Sequence, residues 1–328
     1  MRKKKKKISS RILLFLIYEI IVVAVTVPII TFYGPFQNVK RTVVGTAMAT
    51  MSHQFIATTF LSKAEIDSIL NSGTASSSAG SSSQSEALSD VKISNLNDKS
   101  IEEYDVNTSK FKGYILEIKD PTRINIGCTN SIGQVGQRTS EIAAENGAVA
   151  AINGGGFADN TSSGKLWTGT GAYPQGIVIS NGKVIYSEVK PDYKVNVTAF
   201  TRAGKLVVGN YSINQLKKMD VKEAISFRET LILNGKALNV QDEGLNPRTA
   251  IGQKSDGTII MLVIDGRQGL MPGATLKEVQ NILLQEGAVN ASNLDGGSSS
   301  TMYLNGEVIN SPCDWNGERT VATALYVK

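Results

Sequence analysis

The residues able to do chemistry in this sequence are Asp265, Asp295, Arg248, Arg319 and Asn153. Asp265 closes the apolar run TIIMLVID and precedes Gly266-Arg267, while Asp295 closes NASNLD and precedes Gly296-Gly297-Ser298. A carboxylate that leaves a buried strand into a glycine turn is held at a pocket edge. The same placement also suits an acid that only caps backbone N–H groups in an Asx-turn. A pair of such carboxylates fits glycosidic cleavage, one attacking or activating water and the other managing the proton. Arg248 in NPRTAIG and Arg319 in ERTVATAL present planar forks that match a phosphate, or alternatively salt bridges on strands.

Other chemistries are excluded by composition. The single histidine, His53, lies ahead of a serine-rich stretch, so no Ser-His-Asp or Cys-His arrangement forms in the C-terminal region. One histidine and two distant cysteines do not make the common zinc sites, and no metal is expected. Gly154-Gly155-Gly156 and Gly296-Gly297 do not open helices, so neither is a nucleotide fingerprint, and no cofactor is expected. These glycines suit a close approach of backbone to a ligand or to a neighbouring strand.

The elements that must position these residues read as a strand-rich pattern with a few helices. Strands are expected at 114–119, 123–127, 148–153 and 258–265, with a closing strand in VATALYV. Helices are expected at 139–146, stopped by Gly147, and at 275–286, where Thr275 and Glu278 form a capping box. Asn181-Gly182 and Asn234-Gly235 mark hairpin turns, and MYLNGEVI reads as another hairpin. ENGAVAAINGGG and QEGAVNASNLDGG echo each other as helix end, strand, Asn and glycine loop. Two such units would bring Asn153 and Asp295 to one cleft.

Lysine and arginine number 34 against 29 acids, yet residues 1–11 hold seven of the basic groups and no acid. The remainder carries a net charge of −2, so no nucleic-acid partner is expected. Residues 12–33 form an apolar stretch with Glu19 as its one charge. At 1.5 Å per residue it spans a bilayer core of roughly 30 Å. The basic run before it places residues 1–11 in the cytoplasm and the rest outside, in the cell envelope. The stretch exceeds a signal-peptide core, and Thr31-Phe32-Tyr33 is a poor cleavage site, so an uncleaved anchor is expected. Residues 34–71 read as a membrane-proximal helical stalk. Within 42–70, Val44, Met48, Met51 and Phe55 recur at helical spacing and offer a self-association seam, a lipid-facing helix or a docked helix. Residues 72–99 read as a serine-rich flexible linker and 100–328 as the folded domain. The expected class is therefore α+β: a mixed, strand-rich sheet domain with a few packed helices, preceded by one transmembrane helix and a stalk. Cys128 and Cys313 pair as a disulfide or remain two buried thiols; the outside compartment permits either.

Five motifs occur in one order: INGGGF (152–157), NPRTAIG (246–252), LVIDGRQ (262–268), NLDGGSSSTM (293–302) and ERTVATALYV (318–327). Together they resemble the bacterial phosphodiester glycosidase family over roughly residues 110–328. The resemblance implies hydrolysis between sugar C1 and a phosphodiester oxygen on a carbohydrate substrate, without a nucleotide cofactor. On that basis Asp295 is expected as nucleophile or base, Asp265 as supporting carboxylate and Arg248 on the phosphate. Asn153, Gly154, Gly155, Arg267, Gly296, Gly297, Ser298 and Arg319 are expected to bind substrate. The chain has INGGGF where many members have INGGFF, and a serine where the third glycine of DGGSSS would stand; Asn153 and Asp295 are unaffected. An envelope-polysaccharide binder without turnover, or a scaffold in a polymer-export assembly, would use the same anchor and domain.

Overall fold

The computed structural model of the chain describes residues 10–48, 54–71, 91–158, 170–241, 244–314 and 316–328. Residues 1–9 of the basic tail, Met51, His53 and the serine run lie outside the described residues. The chain forms two compact units, essentially the N-terminal residues up to 78 and the remainder.

Ile259–Ile264 is apolar at every position and completely buried. It lies inside a seven-stranded sheet, which explains the absence of polar alternation. The strand order is Ile101–Asn107, Lys112–Ile118, Ile259–Ile264, Arg248–Lys254, Ala288–Leu294, Thr230–Leu233 and Lys236–Ala237. A second sheet orders Leu206–Tyr211, Val195–Thr201, Val221–Ser226, Ile177–Ser180 and Lys183–Ser187. A third orders Glu307–Val308, Met302–Leu304, Ala150–Asn153, Thr323–Val327 and Ile124–Cys128. Met261 and Val263 of the first sheet, Phe200 and Ile225 of the second, and Ile152 and Leu325 of the third share one apolar core. Helices cover the outer faces. Val279 and Leu283 of Leu276–Gln285 pack on the first sheet, Ile213 and Leu216 of Ile213–Lys218 on the second, and Ile142 and Ala143 of Thr139–Glu145 on the third. This is the expected strand-rich α+β class.

Local chemistry explains the boundaries. Thr275 Oγ1 accepts from the Glu278 amide at 3.2 Å, and the Glu278 carboxylate accepts from the Thr275 amide at 2.9 Å, the capping box read from sequence. Asn181 and Asn234 adopt φ of 49° and 50° with the glycines behind them also positive, as two-residue hairpin turns require.

Antiparallel register aligns the strand ends. Arg248 stands opposite Ile264, the residue before Asp265, and Thr249 stands opposite Leu294, the residue before Asp295. One edge of the first sheet therefore carries Arg248, Asp265 and Asp295, while Asn153 ends a strand of the third.

Two boundaries differ from expectation. The folded region begins by residue 91, not 100: the Lys92 and Ser94 amides donate to the Ser255 and Asp256 carbonyls, each at 3.0 Å. Val91 is buried and Ile93 half-buried, an alternation too short to stand out beside the serine run. In the N-terminal unit, the described residues hold a helix at Gln37–Met48 and a short helix at Phe55–Thr58, with Met51 outside the described residues. Val44 and Met48 are buried within the chain while Phe55 is exposed, so these residues do not form one continuous seam. Ser10–Tyr33 is one helix, long and apolar enough to cross a membrane, with its large apolar side chains exposed along most of its length.

Cys128 and Cys313 are both free thiols, which closes the disulfide alternative. Burial pushes the Cys128 thiol up to about 11, against a small pull from the Thr129 amide, so little thiolate is present near neutrality. Denatured, unreduced protein is expected to yield two titratable thiols per chain, and native protein to label slowly. A mass two hydrogens lower, with no reactive thiol after denaturation, would contradict this.

Candidate active site

Asn153 joins two sheets. It is completely buried and its side chain bonds to three partners. Its Nδ2 donates to the Asp295 carbonyl at 2.5 Å, and its Oδ1 accepts from Thr249 Oγ1 at 2.7 Å and from the Thr301 amide at 3.1 Å. The Asp295 amide donates in turn to the Gly154 carbonyl at 3.1 Å. The two echoing sequence units thus converge as expected. Asn153 holds the loops together through one of its two Nδ2 donors and both acceptor positions of its Oδ1.

Gly154 and Gly155 are packed against neighbouring strands. Both are buried. A Cβ on Gly154 would lie 2.5 Å from Thr323 Oγ1, and one on Gly155 would lie 2.4 Å from the Ser226 carbonyl oxygen. Both glycines let the Thr323 and Ser226 backbone approach closely.

Asp295 leads into a tight turn that collects arginines. Gly297, at φ 64°, leaves room for Arg267, whose Nη1 would lie 3.4 Å from a Cβ placed there. The Gly296 and Gly297 backbone is pressed against Pro247, whose carbonyl accepts from the Gly297 amide at 2.9 Å. Ser298 Oγ accepts from Arg319 Nη1 at 3.2 Å, and the Arg319 guanidinium stacks over the Phe157 ring at 4.9 Å. Arg319 is thereby aimed beside Asp295 by contacts on both sides. Arg267 Nη2 donates to Asn246 Oδ1 at 2.7 Å; its Nε and Nη1 are shielded from solvent with no hydrogen-bond partner among the described residues. Burial weakens the Arg267 guanidinium's hold on its proton, the Cys313 sulfur opposes this, and Arg248 and Arg319 push the same way as burial. The three arginines therefore share one field, and Arg267 acts in it through charge.

Arg248, expected to fork a phosphate, is 5% exposed, with Nε on the Ala274 carbonyl at 3.0 Å and Nη2 on the Gly244 carbonyl at 2.9 Å. Those bonds fasten two loops and take up part of the fork. Asp265 likewise departs from the paired-carboxylate role. Its Oδ1 accepts from Asn310 Nδ2 at 2.8 Å and its Oδ2 from the Ser311 amide at 3.0 Å. Its cationic neighbour is Lys112. Asp265 anchors the 310–311 segment.

Burial is the main influence on the Asp295 carboxyl and raises it, opposed by the Ser299 hydroxyl and then by Arg319, Arg228 and the Gly296 amide. Arg228 is the participant that sequence reading missed. It lies in ISFRET, beside neither a glycine turn nor a quoted motif.

A raised folded-state value fixes the sign of the pH effect. The contribution of Asp295 to stability is fully present below the unfolded value, about 3.9, and is lost as pH rises through the folded value. Asp295→Asn removes that loss. The melting temperature of the variant minus that of the wild type should grow from pH 4 to pH 8. Asp265 and Glu223, also raised by burial, are common to both proteins and cancel. A difference that grows on acidification would contradict the assignment.

The phosphodiester glycosidase family matches residues 146–328. The chain is 30% identical over 219 residues to the SPbeta prophage-derived uncharacterized protein YomE of Bacillus subtilis, covering 63% of this chain and 31% of that protein. It is 34% identical over 125 residues to N-acetylglucosamine-1-phosphodiester alpha-N-acetylglucosaminidase of Bos taurus, covering 36% of this chain and 22% of that enzyme. The chain thus spans a third or less of the length of these curated relatives. Its fold is similar to the auto-inhibited catalytic domain of the zebrafish enzyme of that name, with a TM-score of 0.56 and 23% identity over 72% of this chain and 86% of that one. The family match covers more than half of the sequence, and this chain belongs to the phosphodiester glycosidase family.

Proposed function

We propose that the folded region from residue 91 onward hydrolyses the bond between sugar C1 and the bridging oxygen of a sugar-1-phosphodiester, outside the cytoplasmic membrane and on an envelope or exported polysaccharide. One observation carries this reading: the half-buried Asp295 carboxylate opens a turn whose next residues place Arg267 beside Gly297 and bond Arg319 to Ser298. The division of labour follows from the reaction. A phosphate leaving group is far more acidic than a sugar alcohol, so it departs with little help from a general acid. What remains is to stabilise positive charge at C1 and to hold the phosphate while its charge grows. Asp295 serves the first, as nucleophile or as base for water. Arg319 serves the second by contact and Arg267 by charge. Asn153, Arg248 and Asp265 keep the loops in register.

The helix Ser10–Tyr33 anchors the chain, with the basic tail in the cytoplasm. Protease added to cells with a permeable outer layer should remove the domain and leave a short membrane stub; full protection would refute this orientation. The activity itself is tested by incubating the detergent-solubilised full-length chain with a panel of sugar-1-phosphodiesters and measuring free reducing sugar. Release from at least one member is expected. Binding without release from any would favour the non-catalytic polysaccharide binder.

A further inference from the structure

The chain passes from the second sheet to the first in three residues, Phe227, Arg228 and Glu229, between Val221–Ser226 and Thr230–Leu233. Both ends of this crossing are tied to the loops that build the site. The Ser226 carbonyl accepts from the Gly156 amide at 3.2 Å, and the Phe227 ring comes within 3.1 Å of where a Cβ on Gly156 would stand. The Glu229 carbonyl accepts from the Asn293 amide at 3.0 Å, two residues before Asp295. Glu229 holds φ at 76°, a left-handed conformation that a non-glycine residue seldom adopts. Such strain persists where the surroundings over-determine it, and it gathers at functional sites. Between these two ties stands Arg228, an exposed side chain whose charge acts on the Asp295 carboxyl together with that of Arg319.

A phosphodiester spreads one negative charge over two non-bridging oxygens, and breaking the C1–O bond adds charge to the departing group. We propose that Arg228 is a specificity-determining residue that grips a non-bridging phosphate oxygen from the solvent side, across from Arg319, with the left-handed Glu229 backbone aiming it. This rests on the phosphodiester glycosidase reading. A grip that strengthens as charge develops favours phosphate leaving groups over neutral ones.

The test compares full-length wild type and Arg228→Gln on two substrates of the same sugar: the phosphodiester that wild type hydrolyses and a 4-nitrophenyl glycoside. Arg228 is exposed, so the variant should melt with wild type. Its kcat/KM is expected to fall about thirtyfold on the phosphodiester and less than about threefold on the aryl glycoside. Glu229→Gly should raise the melting temperature by relieving the left-handed strain, yet lose part of the same selectivity, a combination that a merely structural role would not produce. Inorganic phosphate gives a readout that does not depend on turnover. It should raise the melting temperature of wild type clearly more than that of Arg228→Gln, in which Arg319 and Arg267 remain. If no substrate is turned over but this contrast is seen, the activity reading fails and the Arg228 site stands. Equal losses on both substrates, or phosphate shifts that are equal or absent in both proteins, overturn the proposal.

Discussion

Replacing Asp295 with Asn should lower turnover about a thousandfold, close to 4 kcal/mol of transition-state stabilisation. The substitution keeps the size of the side chain and removes its charge. The backbone bonds that place residue 295, from Asn153 Nδ2 to its carbonyl and from its amide to Gly154, do not involve the side chain. The loop should therefore stay where it is. What is lost is the negative group facing the developing charge at C1, or the base that activates water. Binding of the phosphodiester should weaken little, because the arginines remain and a repelling carboxylate is gone. The loss then falls on kcat, with KM unchanged or lower. A folded Asp295→Asn protein with near-normal kcat would reduce Asp295 to a turn-capping acid.

The second large effect is structural. Asn153→Ala should destabilise the fold by about 3 kcal/mol or more, since it strands three buried partners at once. The Asp295 carbonyl loses its donor, and the Thr249 hydroxyl and Thr301 amide lose their acceptor. For a domain of this size the loss corresponds to a fall of roughly 10 °C in melting temperature. Turnover should also drop about a hundredfold in the surviving folded protein, because the Asp295 turn is no longer pinned to the third sheet. Chemical denaturation followed by kinetics on the folded fraction measures both. If Asn153 bound substrate instead, KM would rise while the denaturation midpoint stayed at the wild-type value.

Why Asn153 is legible as important, but not in its role, is a matter of physics. The echo of strand, Asn and glycine loop is local, so the approach of Asn153 to Asp295 can be read from residues close in sequence. The capping box at Thr275 and the Asn-Gly hairpins are local in the same sense. Side-chain direction at a strand end is not. Asp265 and Asp295 look equivalent as sequence, yet Asp265 meets Asn310 and Ser311, some 45 residues away, through an approach that only the completed sheets produce. Arg248 is similar: its partners, the Gly244 and Ala274 carbonyls, come from two loops brought together by register. Gly154 and Gly155 read equally well as ligand-facing or strand-facing until Thr323 and Ser226 are placed against them. Arg228 carries no signal, because an exposed arginine in a crossover acquires meaning only from the loops it lies beside.

The central claim is that the bond broken is the one from C1 to oxygen, with Asp295 at the carbon and the arginines at the phosphate. An arginine-rich site could equally serve attack at phosphorus, and the two differ in which atom receives the oxygen of water. The direct measurement is hydrolysis of a sugar-1-phosphodiester in ¹⁸O-labelled water, with mass analysis of both products. Label in the reducing sugar and none in the phosphate monoester is the expected result. Label in the phosphate would show cleavage of the P–O bond and contradict the account.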